Sequence, residues 1–327
     1  PHLRNLICNL NQFETLYTSQ NPYLVFLACG DSNLSSLDIS SNTELTDLYC
    51  SGAKLSTLDV SNNQKLTTLY CGLNNLTDLD VSNCPLLISL DCASNKLSSI
   101  NLSQNMELEY LNCAYNLISS LDLNSLSKLN DLHCQDNLLT ELDVSSNTEL
   151  RGIECGTNQI TAIDLSNNHE LNMVAFEFSP LASIDFSQCP NLEMIFLYSS
   201  NLSTLNVSQN SKLKLLSCSH SRISSLDLSN NPLLEGLDCF GTNITELDVS
   251  NNPALCAIIA EHTRKTKLGD PHDYWTGTND HYDLKVNTCT RVIARDNISQ
   301  PYEYSISVIT DGHGTASSSQ PAGYAGD

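Results

Sequence analysis

Apolar residues recur along most of the chain with a single period. Leu24, Leu45, Leu66, Leu87, Leu108 and Leu129 are each 21 residues apart, and the positions between them repeat too. Leu87 to Glu107 reads L-I-S-L-D-C-A-S-N-K-L-S-S-I-N-L-S-Q-N-M-E. The unit runs L-x-x-L-x-C-x-x-N-x-L and then, in its commonest form, x-x-L-D-V-S-x-N-x-x. Twelve such units follow one another from Leu3 to Ala254 without insertion or deletion. Each holds two short in-out alternations, as at Leu69, Tyr70 and Cys71 and again at Leu79, Asp80 and Val81. A period of two predicts extended backbone, so two strand-like segments are expected per unit. A lone unit cannot bury its leucines, whereas stacked units share one core. The prediction is a mostly β solenoid.

The recurrent polar positions have structural duties. Asn74, Asn95, Asn116, Asn137 and Asn158 stand at position nine. A chain turning out of a strand leaves backbone groups there that a short amide can satisfy. Ser32, Ser179, Ser200, Ser221 and Thr242 take that place in other units, and Ala53, which cannot hydrogen-bond, predicts a weak corner. At position fifteen Asp38, Asp59, Asp80, Asp122, Asp143, Asp164, Asp185, Asp227 and Asp248 form a column of like charge, with serine commonly two residues on as a donor. One carboxylate per coil is too few oxygens for Ca²⁺, so no metal is expected there.

The 14 cysteines change the picture, because that number suggests a small disulfide-stapled scaffold. Spacing excludes it. Cys8, Cys29, Cys50, Cys71, Cys92, Cys113, Cys134 and Cys155 fall 21 residues apart at position six, and the series resumes at Cys218 and Cys239. Strands in register lie about 4.8 Å apart with parallel Cβ vectors, whereas a disulfide needs Cβ atoms about 3.8 Å apart and inclined together. The ladder cysteines are therefore expected as free thiols acting as small hydrophobes. Cys84 and Cys189 replace Asn at position nineteen, 105 residues apart, and are expected to be free as well. Cys256 and Cys289 lie where the periodicity ends, and a disulfide between them is predicted to fasten a cap.

Charge is scarce and one-sided: 15 Lys+Arg against 37 Asp+Glu give −22, which disfavours nucleic acid. No apolar run is long enough to span a bilayer. Pro1 opens almost directly on a repeat, so a preceding segment is expected to be missing.

The unit L-x-x-L-x-C-x-x-N-x-L at 21-residue spacing resembles the bacterial leucine-rich repeats, most closely the cysteine-bearing type of internalin-like surface proteins. The resemblance covers Leu3 to Ile259. It implies a right-handed leucine-rich-repeat solenoid with a parallel sheet on its concave face and short strand-like or irregular segments on the convex face. It also implies a bacterial protein displayed outside the cell. The expected organisation is a solenoid over residues 1–260, a cap over 261–300, and the start of a following β-rich module over 301–327. Tyr282 to Ile293 reads as a hairpin strand and Tyr302 to Thr310 as a further strand. His262, His272 and His281 in the cap region match no zinc spacing.

Outward positions two, three, five, seven and eight are where a ligand would be read. In the ninth and tenth units they hold Met173, Ala175, Glu177, Phe178, Met194, Phe196 and Tyr198, and Phe176 and Leu197 replace the ladder cysteine. This aromatic and Met cluster is the first candidate ligand patch, with Met173, Glu177, Phe178, Met194, Phe196 and Tyr198 as its residues. A second runs through Asp47, Tyr49, Tyr70, Asp91, Tyr110, Asn112, Tyr115, Asp131, His133 and Glu154, where tyrosines among carboxylates suit sugars or a basic peptide. Catalysis needs groups converging from irregular loops, and twelve units without insertion supply none. The expected function is an extracellular, non-enzymatic recognition scaffold, a monomer without cofactor, binding a protein or carbohydrate, in the manner of an adhesin. The alternatives are a structural spacer and, from another class, a carbohydrate-active β-helix enzyme.

Overall fold

This computed structural model describes residues 2–255 and the strands at 257–260, 283–285, 291–294 and 307–308. The chain falls into two compact units, Pro1–Pro180 and Leu181–Asp327.

The first unit carries nine three-residue strands: β1 Asn5–Ile7, β2 Phe26–Ala28, β3 Asp47–Tyr49, β4 Thr68–Tyr70, β5 Ser89–Asp91, β6 Tyr110–Asn112, β7 Asp131–His133, β8 Gly152–Glu154 and β9 Met173–Ala175. Each pairs in parallel with the next, in register at the repeat spacing, as Thr68 with Ser89 and Ser89 with Tyr110. The middle residue of each strand from β2 on is fully buried, and its neighbours face outward. Position-six cysteines extend the ladder by one bond, as from Cys50 N to the Tyr70 carbonyl at 2.8 Å. The chain then turns sharply. Position eight is left-handed in all nine repeats of this unit: Leu73, Tyr115 and Phe178 have φ of 54°, 55° and 52°, and glycine supplies the turn only at Gly52. A non-glycine residue there costs roughly 1–2 kcal/mol. The turn is held by its own amide, which donates to the next coil, as from Leu73 N to the Ala93 carbonyl at 2.8 Å.

Behind that corner the position-nine amides do what the sequence predicts. Asn95 Nδ2 donates to the carbonyls of Cys71 and Cys92, and its Oδ1 accepts from Leu76 N at 2.9 Å. Each Asn so ties its own coil to the one before. Ser32 reaches only its own coil, through the Cys29 carbonyl at 2.9 Å. The Ser179 and Ser200 hydroxyls have no hydrogen-bond partner. A second amide ladder, unforeseen as such, runs at position nineteen. Asn63 Nδ2 donates to the Ile39 and Asn42 carbonyls, and Asn105, Asn147 and Asn168 repeat the arrangement.

The second half of the unit is irregular more often than strand-like: among the described units it pairs as a Tyr17–Asp38 bridge and, in the twelfth, as a strand at Glu246–Asp248. Leu79 and Val81 are buried as the alternation predicts, but the segment forms no strand. Here the alternation records burial without a ladder, and the backbone then leaves into two successive turns, Cys84 N to the Val81 carbonyl and Leu87 N to the Cys84 carbonyl. The position-fifteen aspartates start those turns. Asp80 Oδ1 accepts the Ser82 amide at 2.9 Å, and the bonds from Ser82 hold its carboxyl below the usual carboxylate range.

The second unit continues with β10 Met194–Phe196, β11 Leu215–Ser217, β12 Gly236–Asp238, β13 Glu246–Asp248, β14 Ala257–Ala260, β15 Asp283–Lys285, β16 Arg291–Ala294 and β17 Ser307–Val308. β10, β11, β12, β14 and β16 pair in parallel in that order; β13, β15 and β17 form a separate parallel sheet. The expected hairpin after Tyr282 is therefore corrected: β15 and β16 belong to different sheets, each extending the parallel stacking. Cys256 and Cys289, with the proposed bridge between them, and the cap histidines lie outside the described residues.

Twelve cysteines lie among the described residues, and all but Cys8 are buried. Burial lifts the ladder thiols, Cys29 to about 12 and Cys50, Cys71 and Cys92 well above their ordinary value. They are packing atoms held as neutral thiols.

Candidate functional site

Within the first unit the strand pleat turns positions three and five outward, and the repeat stacks them in columns. Five rings fall on neighbouring places in those columns: Phe26 on β2, Tyr49 on β3, Tyr70 on β4, Tyr110 on β6 and His133 on β7. Their centroids follow at 5.3 Å, 5.1 Å, 6.5 Å and 5.5 Å, so the run is continuous even where β5 offers Ser89 and Asp91 in place of a ring. Ser89 Oγ fills that step by donating to the Tyr70 hydroxyl at 3.1 Å. All five rings are half-buried, which fixes their planes while leaving one surface open.

Carboxylates line the run. Asp47 accepts from Thr46 Oγ1 at 2.6 Å; Asp91 accepts from the Ala93 amide and from Asn112 Nδ2. No lysine or arginine among the described residues pairs with Asp47, Asp91, Asp131 or Glu154. The cation paired with these carboxylates is His133. Its Nε2 lies 3.3 Å from Asp131 Oδ1 and its Nδ1 3.1 Å from Glu154 Oε2, and these two bonds raise it to about 10. Gln135 Nε2 also donates to Glu154, at 3.1 Å. Gly152 makes room for this arrangement, since a Cβ there would stand 2.7 Å from Asp131 Oδ1. The phenols feel the same field. Burial first, then Asp91, pushes Tyr110 up to about 12; burial, then Asp47, raises Tyr49.

The structure thus gathers Asp47, Tyr49, Tyr70, Asp91, Tyr110, His133 and Glu154 on one face. Tyr115 stands apart at a left-handed corner, 55% exposed. Phe26, which heads the run, escapes the sequence reading; its only signal is the outward parity it shares with Tyr110 at position three.

The other predicted patch is divided between the two units. In the first, Met173 is half-buried on β9, Glu177 is raised by burial and then by Glu154, and Phe178 sits at a corner, 59% exposed. In the second, Met194 and Phe196 are half-buried on β10. Tyr198 meets His220 edge-on at 5.0 Å, and His220 meets Phe240 at 5.2 Å. Phe176 and Leu197 fill the ladder place, both fully buried.

These repeats, their parallel sheet and their column of buried thiols define a leucine-rich-repeat solenoid. More particularly, its 21-residue unit and its column of thiols are those of the cysteine-ladder type of leucine-rich repeat. It is similar to the functional domain of InlJ from Listeria monocytogenes, which includes a cysteine ladder, at 35% identity and a TM-score of 0.73. The similarity covers 80% of this chain, which spans 63% of that domain. The internalin InlF from the same organism (20% identity, TM-score 0.75, 79% of this chain and 80% of InlF) shares the fold. So does a leucine-rich-repeat protein of Leptospira interrogans (20%, 0.72, 79% and 78%). No protein-family profile and no curated protein matches the sequence.

Proposed function

We propose that the protein is an extracellular, non-enzymatic recognition scaffold that holds a protein or glycan partner on the outward face of its strands, in the manner of an adhesin. The observation that carries this reading is the unbroken ring run from Phe26 to His133, with half-buried rings spaced 5.1–6.5 Å and carboxylates on its flanks. Strand positions that bear no load for the fold are free to vary, and here they collect aromatic side chains that bind through buried area and stacking. The likeness to internalins and other leucine-rich-repeat proteins supports a binding role. Met173 and Phe178, with the Glu177 carboxyl between them, and separately Met194, Phe196 and Tyr198, supply further outward surface.

The test is an array of extracellular proteins and oligosaccharides probed with the wild type and with a Tyr49→Ala/Tyr110→Ala double variant of unchanged thermal midpoint. At least one ligand should be retained by the wild type and lost by the variant. Retention of every ligand by the variant overturns the assignment of the face. An array on which the wild type holds nothing favours a spacer.

A further inference from the structure

Resting on the recognition reading above, we infer that the partner of the ring run is a basic segment in the polyproline II conformation, with a cationic side chain at every third residue. The charge and the spacing of the sheet face both select this occupant.

Charge comes first. Asp47 and Asp91 face outward without a cation, and Asp131 and Glu154 share the single imidazolium of His133. Glu177 adds a further carboxyl, raised by burial and then by the charge of Glu154. A face so lined repels an acidic partner and leaves a neutral one with half-buried carboxylates to desolvate. An arginine or lysine offsets that cost directly. Arginine also lies flat on a tyrosine face, and tyrosines alternate with the carboxylates along the run.

Spacing narrows the conformation. Asp47, Asp91 and Asp131 stand on β3, β5 and β7, every second strand, which places them about 9–10 Å apart along the stacking direction at strand spacing. A polyproline II chain rises about 3.1 Å per residue with three residues per turn, so residues i and i+3 share a side about 9 Å apart. A fully extended strand returns to the same side after about 6.6 Å and falls out of step. Asp91 sits on the other side of the run from Asp47 and Asp131, an offset that an arginine side chain spans. Between successive carboxylates lie Tyr49 and Tyr70, then Tyr110. Their tilted rings, 72° apart between Tyr49 and Tyr70, form the walled steps into which prolines dock.

The experiment uses a fluorescein-labelled peptide of about twelve residues repeating Arg-Pro-Pro, long enough to cross β3 to β7. It is compared with an isomer of the same composition whose arginines are clustered at one end, and with the repeat carrying citrulline for arginine. Fluorescence anisotropy should show the repeat bound at least about tenfold more tightly than either control. Asp91→Asn and Tyr70→Ala should each weaken it about tenfold. Thermal midpoints within a few degrees of wild type establish that the variants are folded; should Tyr70→Ala unfold, Tyr49→Ala takes its place. Equal affinity for the clustered isomer overturns the proposal, because net charge alone then explains binding. So does full affinity in a folded Asp91→Asn variant. If the run holds an oligosaccharide or a neutral protein and rejects the repeat, the recognition reading stands and this one fails. If no ligand depends on the run, both fail.

Discussion

His133 concentrates the electrostatics of the face in one side chain. Its folded-state value of about 10 lies above its ordinary 6.5, because Asp131 and Glu154 both bind the protonated ring. The imidazolium therefore contributes its full stabilisation below about 6.5, loses it progressively as pH rises, and contributes none above about 10. Urea midpoints of wild type and His133→Gln, measured at intervals across that window, should converge as pH rises. A difference that stays constant from about pH 6 to about pH 10 contradicts the clamp. The same residue tunes the ligand face: while protonated it cancels one of two carboxylates. Asp47 and Asp91, which have no such partner, are the stronger seats for a cation.

At the scale of the element, the two asparagine ladders make a strand of three residues sufficient. Such strands alone are marginal, and each coil is joined to the next by amides working outside the sheet. Asn116 Nδ2 donates to the carbonyls of Cys92, Cys113 and Ala114, while its Oδ1 accepts from Ile118's counterpart one coil back, Leu97 N, at 2.9 Å. Asn116→Ala leaves those buried groups unpaired and should cost about 2–4 kcal/mol in urea unfolding. Cys84 gives the converse. Its thiol makes only weak contacts, 3.7 Å to the carbonyls of Val60 and Asn63, where its neighbours in the column make full amide bonds. Cys84→Asn should gain about 1 kcal/mol, and a loss instead would show the pocket too tight for an amide. The position-nine ladder was legible because its asparagines recur beside the buried cysteine. The position-nineteen ladder was visible only as a consensus letter, since its partners are carbonyls 21 and 24 residues away that no local pattern marks. Strand count per unit was less legible: alternation at Leu79 and Val81 reports which side chains are buried, and burial alone does not pair the backbone, although the equivalent segment Glu246–Asp248 does pair. In the candidate site the tyrosines and carboxylates declared themselves. Ring-to-ring continuity did not, because Tyr70 and Tyr110 meet across an intervening strand.

At the scale of the whole molecule, the charge of −22 acts on stability and on binding with opposite signs. The turn aspartates stand one per coil, about 5 Å apart where consecutive coils carry them, and repel one another. The lysine pairs answer other carboxylates: Lys65 pairs with Glu44, Lys128 with Glu107 and Lys214 with Glu193, all partly exposed, and such pairs contribute little. Repulsion therefore dominates the salt response of the fold. Raising NaCl from about 20 mM to about 500 mM shortens the screening length from roughly 20 Å to about 4 Å and should raise the thermal midpoint. The same change should weaken the Arg-Pro-Pro peptide, whose attraction to Asp47 and Asp91 is screened. Acid separates the two roles of the aspartates. The carboxyls of Asp38, Asp59, Asp80, Asp143, Asp164 and Asp227 are held below their ordinary value by bonds from the serine two residues on, despite their like-charged neighbours. A depressed group stabilises the fold above its unfolded-state value and ceases to do so as pH falls through its folded-state value. Lowering the pH below about 4 should thus lower the thermal midpoint even though it removes negative charge. If acid and salt both raise the midpoint, repulsion outweighs the turn bonds, and the aspartate column is a burden on the fold that its serines do not offset.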